Sequence, residues 1–369
     1  MSARDAQEAR DRQEARDQVA GGSAMGRTGS AGARTAGSGR ARTLRGGWRL
    51  GLVALASACV LTAGVAVLPL PDAAGGGSDP VSSPGSGTVA ALSGKADECE
   101  SPEASLRPSP LDGPAIKRIK SRTGDTEGKL VAGIDQNSYR WGYRNPASGQ
   151  LEGFDIDIVK AIATELFGSP DKVIYRAIPT SQRIVALQDH KVDIVVRTMT
   201  VNCDRIKDVA FSHAYFRAGQ QVLAPKGPGI TGYDDSLKGK RVCTAAGSTA
   251  FDAMRKESHG ALFDDPKYIV PNQLDCLVRL QLGEADAIVT DNALAASQAA
   301  QDPAIEVKGT PFTTEYYGVA TNKDDDDLVR RINKVLAEYS KARWAASYKT
   351  WLEAGLGEST GPPAPKFKD

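Results

Sequence analysis

From Lys129 onward, short apolar runs rich in β-branched residues alternate with stretches in which apolar residues recur every three or four positions. Segments 129–134 (KLVAGI), 172–177 and 192–196 read as strands. Ile158, Val159, Ile162, Ala163 and Leu166 share one face of a helix, and 182–189 predicts a second helix. After the proline- and glycine-rich 224–229, which marks a boundary or hinge, the pattern begins again: strand 241–245, helix 249–256, helix 273–282, strand 287–289. Leu328, Ile332, Val335, Leu336 and Tyr339 predict a helix over 326–347, and the closing GPPAPKFKD is too proline-rich to extend it. Strands alternating with helices predict an α/β fold with largely parallel sheets. The second half repeats the first in outline, so two similar lobes are expected.

The first hundred residues follow other rules. Residues 1–49 carry arginine as their only cation and are rich in Gly, Ala, Ser and Thr, a composition that predicts a disordered tail. Leu50 to Leu68 (LGLVALASACVLTAGVAVL) is uncharged and close to the roughly 20 residues a spanning helix needs. Arg42, Arg45 and Arg49 precede it, which places the tail in the cytoplasm and everything beyond outside. Segment 50–70 is expected to be a single signal anchor, with a cleaved signal peptide as the competing reading. Cys59 after Ala56-Ser57-Ala58 admits lipid anchoring as a third. Residues 71–98 read as a flexible linker.

The formal net charge is only +1, so nothing points to nucleic acid. Beyond Cys59 the cysteines are Cys99, Cys203, Cys243 and Cys276; outside the cytoplasm they predict two disulfides, with three pairings open. They show no CxxC spacing and the three histidines do not cluster with them, so no metal and no cofactor is expected.

Candidate chemistry gathers at strand ends. Arg197-Thr198-Met199-Thr200 follows strand 192–196 at its carboxyl end, where ligands of open α/β sheets bind, and Arg205 lies close behind. A guanidinium grips a carboxylate and threonine hydroxyls add neutral bonds; surface ion pairing is the competing reading for each arginine. Gly247-Ser248-Thr249 lies between a strand and a helix start, with Ser248 or Thr249 as cap, and is read either as a carboxylate site or as an ordinary capped turn. Asp291 and Asp135 end strands and suit either a ligand ammonium or a capping role. Tyr139 and Trp141 suit packing on a ligand or on the core. There is no GxSxG, Walker, HExxH or persuasive GxGxxG motif, so the motifs give an enzyme no support without excluding one.

Together these positions resemble the polar-amino-acid branch, family 3, of the extracytoplasmic solute-binding proteins of ABC transporters. The resemblance rests on Gly133-Ile134-Asp135-Gln136-Asn137, Gly153-Phe154-Asp155-Ile156-Asp157, Ala186-Leu187-Gln188 leading into Val192-Asp193, and Thr198-Met199-Thr200 to Arg205. Phe211-Ser212, Gly239-Lys240-Arg241-Val242, Gly247-Ser248-Thr249 and Ala285-Asp286-Ala287-Ile288 to Asp291 continue it. More narrowly the chain is similar to actinobacterial glutamate- or glutamine-binding proteins. The resemblance implies a two-lobed periplasmic-binding-protein-like fold (type II) with a hinge: lobe 1 over 99–224, lobe 2 over 225–318, a return to lobe 1 over 319–356 and a proline-rich tail 357–369.

It also implies roles. Arg205 would hold the ligand α-carboxylate together with Thr200, Gly247, Ser248 and Thr249; Asp291 would hold the α-ammonium, with Asp135 nearby and an aromatic wall near Tyr139. Arg197 stands where many members have a small residue, and Arg183 sits in a loop facing the ligand side chain. These two guanidiniums favour a side-chain carboxylate, hence glutamate or aspartate before glutamine. The resemblance pairs Cys243 with Cys276, leaving Cys99 with Cys203. The expected partners are an amino acid and an ABC permease, or a membrane sensor protein feeding a kinase pathway, with the protein a monomer held at the cell membrane. A cyclohexadienyl or arogenate dehydratase of the same fold is the enzymatic alternative, disfavoured because it has little use for an ammonium clamp.

Overall fold

The computed structural model describes residues 99–369; the expected cytoplasmic tail 1–49, the anchor or signal segment 50–70 and the linker 71–98 lie outside the described residues. Among the described residues no helix is long and apolar enough to cross a membrane.

The first half supplies β1 (Leu130–Ile134), β2 (Asn137–Ser138), β3 (Gly142–Arg144), β4 (Leu151–Glu152), β5 (Val173–Ala177), β6 (Ile194–Val195), β7 (Val209–Phe211) and β8 (Phe216–Ala218). The remainder supplies β9 (Gln220–Pro225), β10 (Val242–Ala245), β11 (Ile269–Val270), β12 (Ala287–Asp291), β13 (Ile305–Lys308), β14 (Glu315–Tyr317) and β15 (Ala320–Asn322). Two five-stranded sheets result, ordered β5-β1-β6-β15-β7 and β11-β10-β12-β9-β13. In each the first three strands are parallel, and the fourth runs against its neighbours. The two lobes are therefore one design used twice.

Side-chain alternation explains why each sheet is covered on both faces. Leu130, Ala132 and Ile134 of β1 join the core formed with the helices Phe154–Phe167 and Asp326–Ala342, whereas Val131 joins the cluster on the opposite face. In the second lobe Val222, Ala224, Ala287 and Val289 face one cluster, while Leu223, Cys243 and Ile288 face the other. The predicted helical face Ile158, Val159, Ile162, Ala163 and Leu166 is buried as expected.

Three expectations need correction. The 224–229 cluster is not the crossing point, because β9 already belongs to the second sheet, between β12 and β13. The chain crosses at Gly219 and returns through β14, which pairs antiparallel with β8 to make the hinge. A Cβ on Gly219 would lie 2.1 Å from the carbonyl oxygen of Thr313, so the two crossings approach too closely for any side chain there. The return thus begins ahead of the expected 319. The helix over 326–347 is two helices, Asp326–Ala342 and Trp344–Trp351, broken at Arg343. The break turns Trp344 into the core, where its Nε1 donates to the Tyr215 carbonyl at 2.9 Å and its ring meets Phe154 edge-on. The proline-rich tail packs back on lobe 1: Phe367 bridges Ser105, and Lys366 pairs with Glu103.

Disulfides join Cys99 to Cys203 and Cys243 to Cys276, with Cα separations of 5.7 and 5.5 Å. Each lies within one lobe.

Candidate functional site

The site grows out of the carboxyl ends of β6 and β12, which face each other across the hinge. Beyond β6 the chain enters Arg197-Thr198, where Thr198 holds a left-handed φ of 42°. Asp155 fixes that conformation: one carboxylate oxygen accepts from Thr198 N at 2.9 Å and the other from the Tyr215 hydroxyl at 2.8 Å. Burial raises the Asp155 carboxyl to a pKa of about 7, against the lowering effect of these bonds. The segment is then stitched to the hinge strand, with Thr200 bridging Tyr317 and Val201 N donating to the Tyr316 carbonyl at 2.8 Å.

A narrow, nearly filled cleft with about 30 Å³ of free space lies between the lobes. Asp135, Arg183, Arg197, Thr198, Thr200 and Arg205 line it from the first lobe, and Ser248, Thr249 and Asp291 from the second. Gly247 contributes its carbonyl, which accepts from Arg183 Nη2 at 3.3 Å and Arg205 Nη2 at 3.1 Å. Arg205 also donates to the Thr200 carbonyl at 2.7 Å. Burial lowers the Arg205 pKa and lowers that of Arg183 further, because Arg205 and Arg197 repel it.

Tyr139 lies outside the cleft lining, and its ring packs edge-on against Tyr143 at 5.1 Å under the Arg140 guanidinium. Trp141, fully buried, is core; its Nε1 reaches across to the Ala293 carbonyl of the second lobe at 3.2 Å. The two arginines expected to greet a side-chain carboxylate are also less free than their sequence positions imply. Arg197 is ion-paired with Asp135 at 2.7 Å and donates to the Thr180 hydroxyl at 2.8 Å. Arg183 donates its Nε to the Thr180 carbonyl at 2.9 Å.

In the second lobe Ser248 is the cap of helix Thr249–Lys256, accepting from Phe251 N at 3.1 Å. Asp291 occupies a helix N-cap position without capping it. Its carboxylate instead accepts from Gln220 Nε2 and from the Tyr317 hydroxyl. Burial first, and repulsion from Glu315 second, push its pKa up to about 7. Gln220 is its direct register partner in the β9–β12 ladder.

Sequence reasoning passed over Gln220, Glu315, Tyr317, Thr180 and Gln273. Asp155 stood inside a quoted motif without a role. The first three converge only through the hinge. Glu315 Oε2 accepts from the hydroxyls of Thr200 at 2.6 Å and Thr249 at 2.9 Å, and its Oε1 accepts from Gln220 Nε2 at 3.0 Å. Two N–H donors of lining residues, Arg197 Nε and Gln273 Nε2, are buried without a hydrogen-bond partner among the described residues.

Two α/β lobes thus meet at a buried cleft with an arginine on one wall and an aspartate on the other. A family model of bacterial extracellular solute-binding proteins, family 3, matches residues 130–354. The chain belongs to this family. This solute-binding protein is similar to the ABC transporter glutamine-binding protein GlnH of Bacillus subtilis (strain 168), 35% identical over 231 residues that cover 62% of this chain and 83% of that protein. It is similar to the glutamate-binding protein GluB of Corynebacterium efficiens, 27% identical over 63% of this chain and 80% of that one. Among solved structures it resembles holo ArgBP from T. maritima, with a TM-score of 0.54 and 29% identity over 64% of this chain and 98% of that chain. These relatives are binding receptors, and the family-3 chain is a receptor rather than an enzyme.

Proposed function

We propose that the chain captures an α-amino acid outside the cytoplasm by closing its lobes, with glutamate or aspartate preferred and glutamine the competing ligand, and delivers it to an ABC permease. The observation that carries this reading is the placement of Arg205 and Asp291 on opposite walls of one buried cleft. A ligand α-carboxylate would meet Arg205, the hydroxyls of Thr200, Ser248 and Thr249 and the turn at Gly247, while its ammonium would meet Asp291. A ligand that bridges both walls binds the closed state better than the open one, which is what drives closure.

Side-chain preference rests on donors. Arg197 Nε and Gln273 Nε2 have no acceptor among the described residues, and a buried unsatisfied donor costs about 1–3 kcal/mol. A carboxylate or amide oxygen at the far end of the ligand relieves that cost, and an ammonium or guanidinium does not. Arg183 adds positive charge at the same wall, which favours the acid over the amide.

Calorimetry of the full-length protein in nanodiscs against L-glutamate, L-aspartate, L-glutamine, L-arginine and L-histidine tests the reading. Binding of the first two ahead of the third, with arginine excluded and all binding lost in Arg205→Ala, supports it; no binding of any amino acid to folded protein sinks it.

The uncharged segment 50–70 after three arginines favours retention at the membrane, and with it a second reading, a membrane-anchored sensor that signals to a kinase pathway. Loss of amino-acid uptake on deleting the gene favours import; unchanged uptake with altered kinase output favours sensing.

A further inference from the structure

We propose that Asp155 is a positioning residue of the ligand clamp: its carboxylate holds Thr198 in a left-handed turn and so presets Arg197 and Thr200 toward the cleft. The inference rests on the amino-acid reading for its effect on affinity; the hold on Thr198 stands on geometry.

Asp155 is an acid on an apolar face. It lies three and four residues ahead of Ile158 and Val159, so it shares their side of the helix Phe154–Phe167, and it is buried with them. A buried carboxylate is costly unless its oxygens are bonded, and both are: one accepts from Thr198 N at 2.9 Å, the other from the Tyr215 hydroxyl at 2.8 Å. The backbone fixes where Asp155 sits. Its own N–H donates to the Trp141 carbonyl at 2.9 Å, and a Cβ on Gly153 would lie 2.3 Å from that same oxygen.

Thr198 is where the clamp segment departs from the sheet. Ahead of it, β6 pairs with β1 and Val196 N donates to the Gly133 carbonyl at 3.0 Å. Beyond it, the Met199 carbonyl accepts from Gly318 N at 3.1 Å and Val201 N donates to the Tyr316 carbonyl at 2.8 Å. Between these backbone bonds the N–H of Thr198 turns to a side chain instead, that of Asp155. Its φ of 42° is one that a residue with a Cβ disfavours by a factor of about 5 to 30. The same turn carries function, since Arg197, Thr198 and Thr200 all line the cleft. Tyr215 extends the hold to the hinge: it directly precedes β8, and its N–H donates to the Tyr317 carbonyl of β14 at 2.9 Å.

These bonds lie within the first lobe, so they act on the population of the binding-competent turn rather than on closure itself. Without Asp155, Thr198 relaxes, and apparent affinity falls by the fraction of molecules that keep the turn. For threonine that fraction is about one in 5 to one in 30. For glycine, which adopts either sign of φ about equally, it is about one half. Exchanging Thr198 for glycine should therefore make Asp155 nearly dispensable for binding, which a role in core stability alone does not predict.

The test measures dissociation constants of L-glutamate, L-aspartate and L-glutamine by calorimetry for the full-length protein in nanodiscs and for Asp155→Ala, Thr198→Gly and the double variant. For the tightest ligand, Asp155→Ala is expected to weaken binding at least about fivefold in the otherwise wild-type chain, and about twofold in the Thr198→Gly background. The cost of losing the Thr198 side chain is common to both members of the second pair and cancels. Asp155→Leu, which removes both acceptors without leaving a cavity, takes the place of Asp155→Ala should that variant not fold. Asp155→Asn, whose carbonyl still accepts from Thr198 N, is expected to restore most of the lost affinity. Losses that differ by less than about twofold between the two backgrounds, or an Asp155→Asn as damaging as Asp155→Ala, overturn the proposal. If the wild type binds none of the three ligands, the amino-acid reading fails. Hydrogen exchange of the Thr198 amide still decides the hold: it is expected to be at least about fivefold faster in Asp155→Ala, and an unchanged rate overturns the proposal.

Discussion

Gly247 of the second lobe rests on Ser181 of the first so closely that a Cβ built on it would lie 3.0 Å from the Ser181 Cα. Its φ of +70° is also one that only glycine adopts freely. Closure is thus limited by backbone meeting backbone.

Gly247→Ala is therefore expected to weaken closure through the Ser181 contact. Its left-handed geometry also costs a residue with a Cβ roughly 1–2 kcal/mol of folding stability in open and closed states alike. Calorimetry should show reduced ligand affinity, and chemical unfolding a lower midpoint. An unchanged affinity would mean that the Gly247–Ser181 approach is not part of the bound state.

Ligand binding should release a proton. The Asp291 carboxyl, facing Gln220, Tyr317, Glu315 and Arg205, is raised from 3.8 to about 7. Its protonated form is favoured in the empty folded protein, so this contribution to stability is present below about pH 4 and lost as pH rises through about 7. A ligand ammonium requires the anion instead. At pH 6, calorimetry in buffers of different ionisation enthalpy should report between half and one proton released, and affinity should fall as pH is lowered from 8 to 5. Binding that releases no proton at pH 6 would remove Asp291 from the ammonium site.

The Asp135–Arg197 ion pair, 2.7 Å long and nearly excluded from solvent, tempers the acidic preference. Asp135→Asn keeps one acceptor oxygen for Asn137 N, replaces the oxygen that accepts from Ser138 Oγ with a donor, and leaves the guanidinium without a counter-charge. A ligand carboxylate should then be favoured over an amide by about 1.5 kcal/mol more than in the wild type, the lower value for a hydrogen bond to a charged group. The glutamate-to-glutamine affinity ratio should rise about tenfold; a ratio that stays put would place the ligand side chain away from Arg197.

Removing the second-lobe disulfide separates stability from binding. Cys243 in β10 and Cys276 in the helix Gln273–Gln281 close a loop 33 residues long, for which the chain-entropy account gives about 4 kcal/mol. Both cysteines are absent from the cleft lining. Cys243→Ala with Cys276→Ala should lower the midpoint of chemical unfolding while ligand affinity stays within about threefold. A large loss of affinity with little loss of stability would show the bridge to be coupled to the site.

Local pattern carried much of this architecture. Alternation and helical spacing sufficed for the strand ending at Ala245, the helix Thr249–Lys256 and the buried face of Phe154–Phe167, because each is determined by neighbours within a few residues. Strand-end position sufficed for Arg197, Thr200, Arg205 and Asp291, since the carboxyl edge of a parallel sheet is a property of the strand itself. Motif resemblance supplied the family and the pairing of the cysteines. Tertiary structure alone decided the rest. Where the chain crosses between lobes depends on β9 running against β12, a pairing across some seventy residues. That register is what sets Gln220 against Asp291, and the β8–β14 and Thr200–Tyr317 pairings are what bring Glu315 between Thr200 and Thr249. The net charge of the cleft was decided in the same way. Asp135 neutralises Arg197 because two strand ends distant in sequence lie side by side, and no local pattern encodes such a meeting.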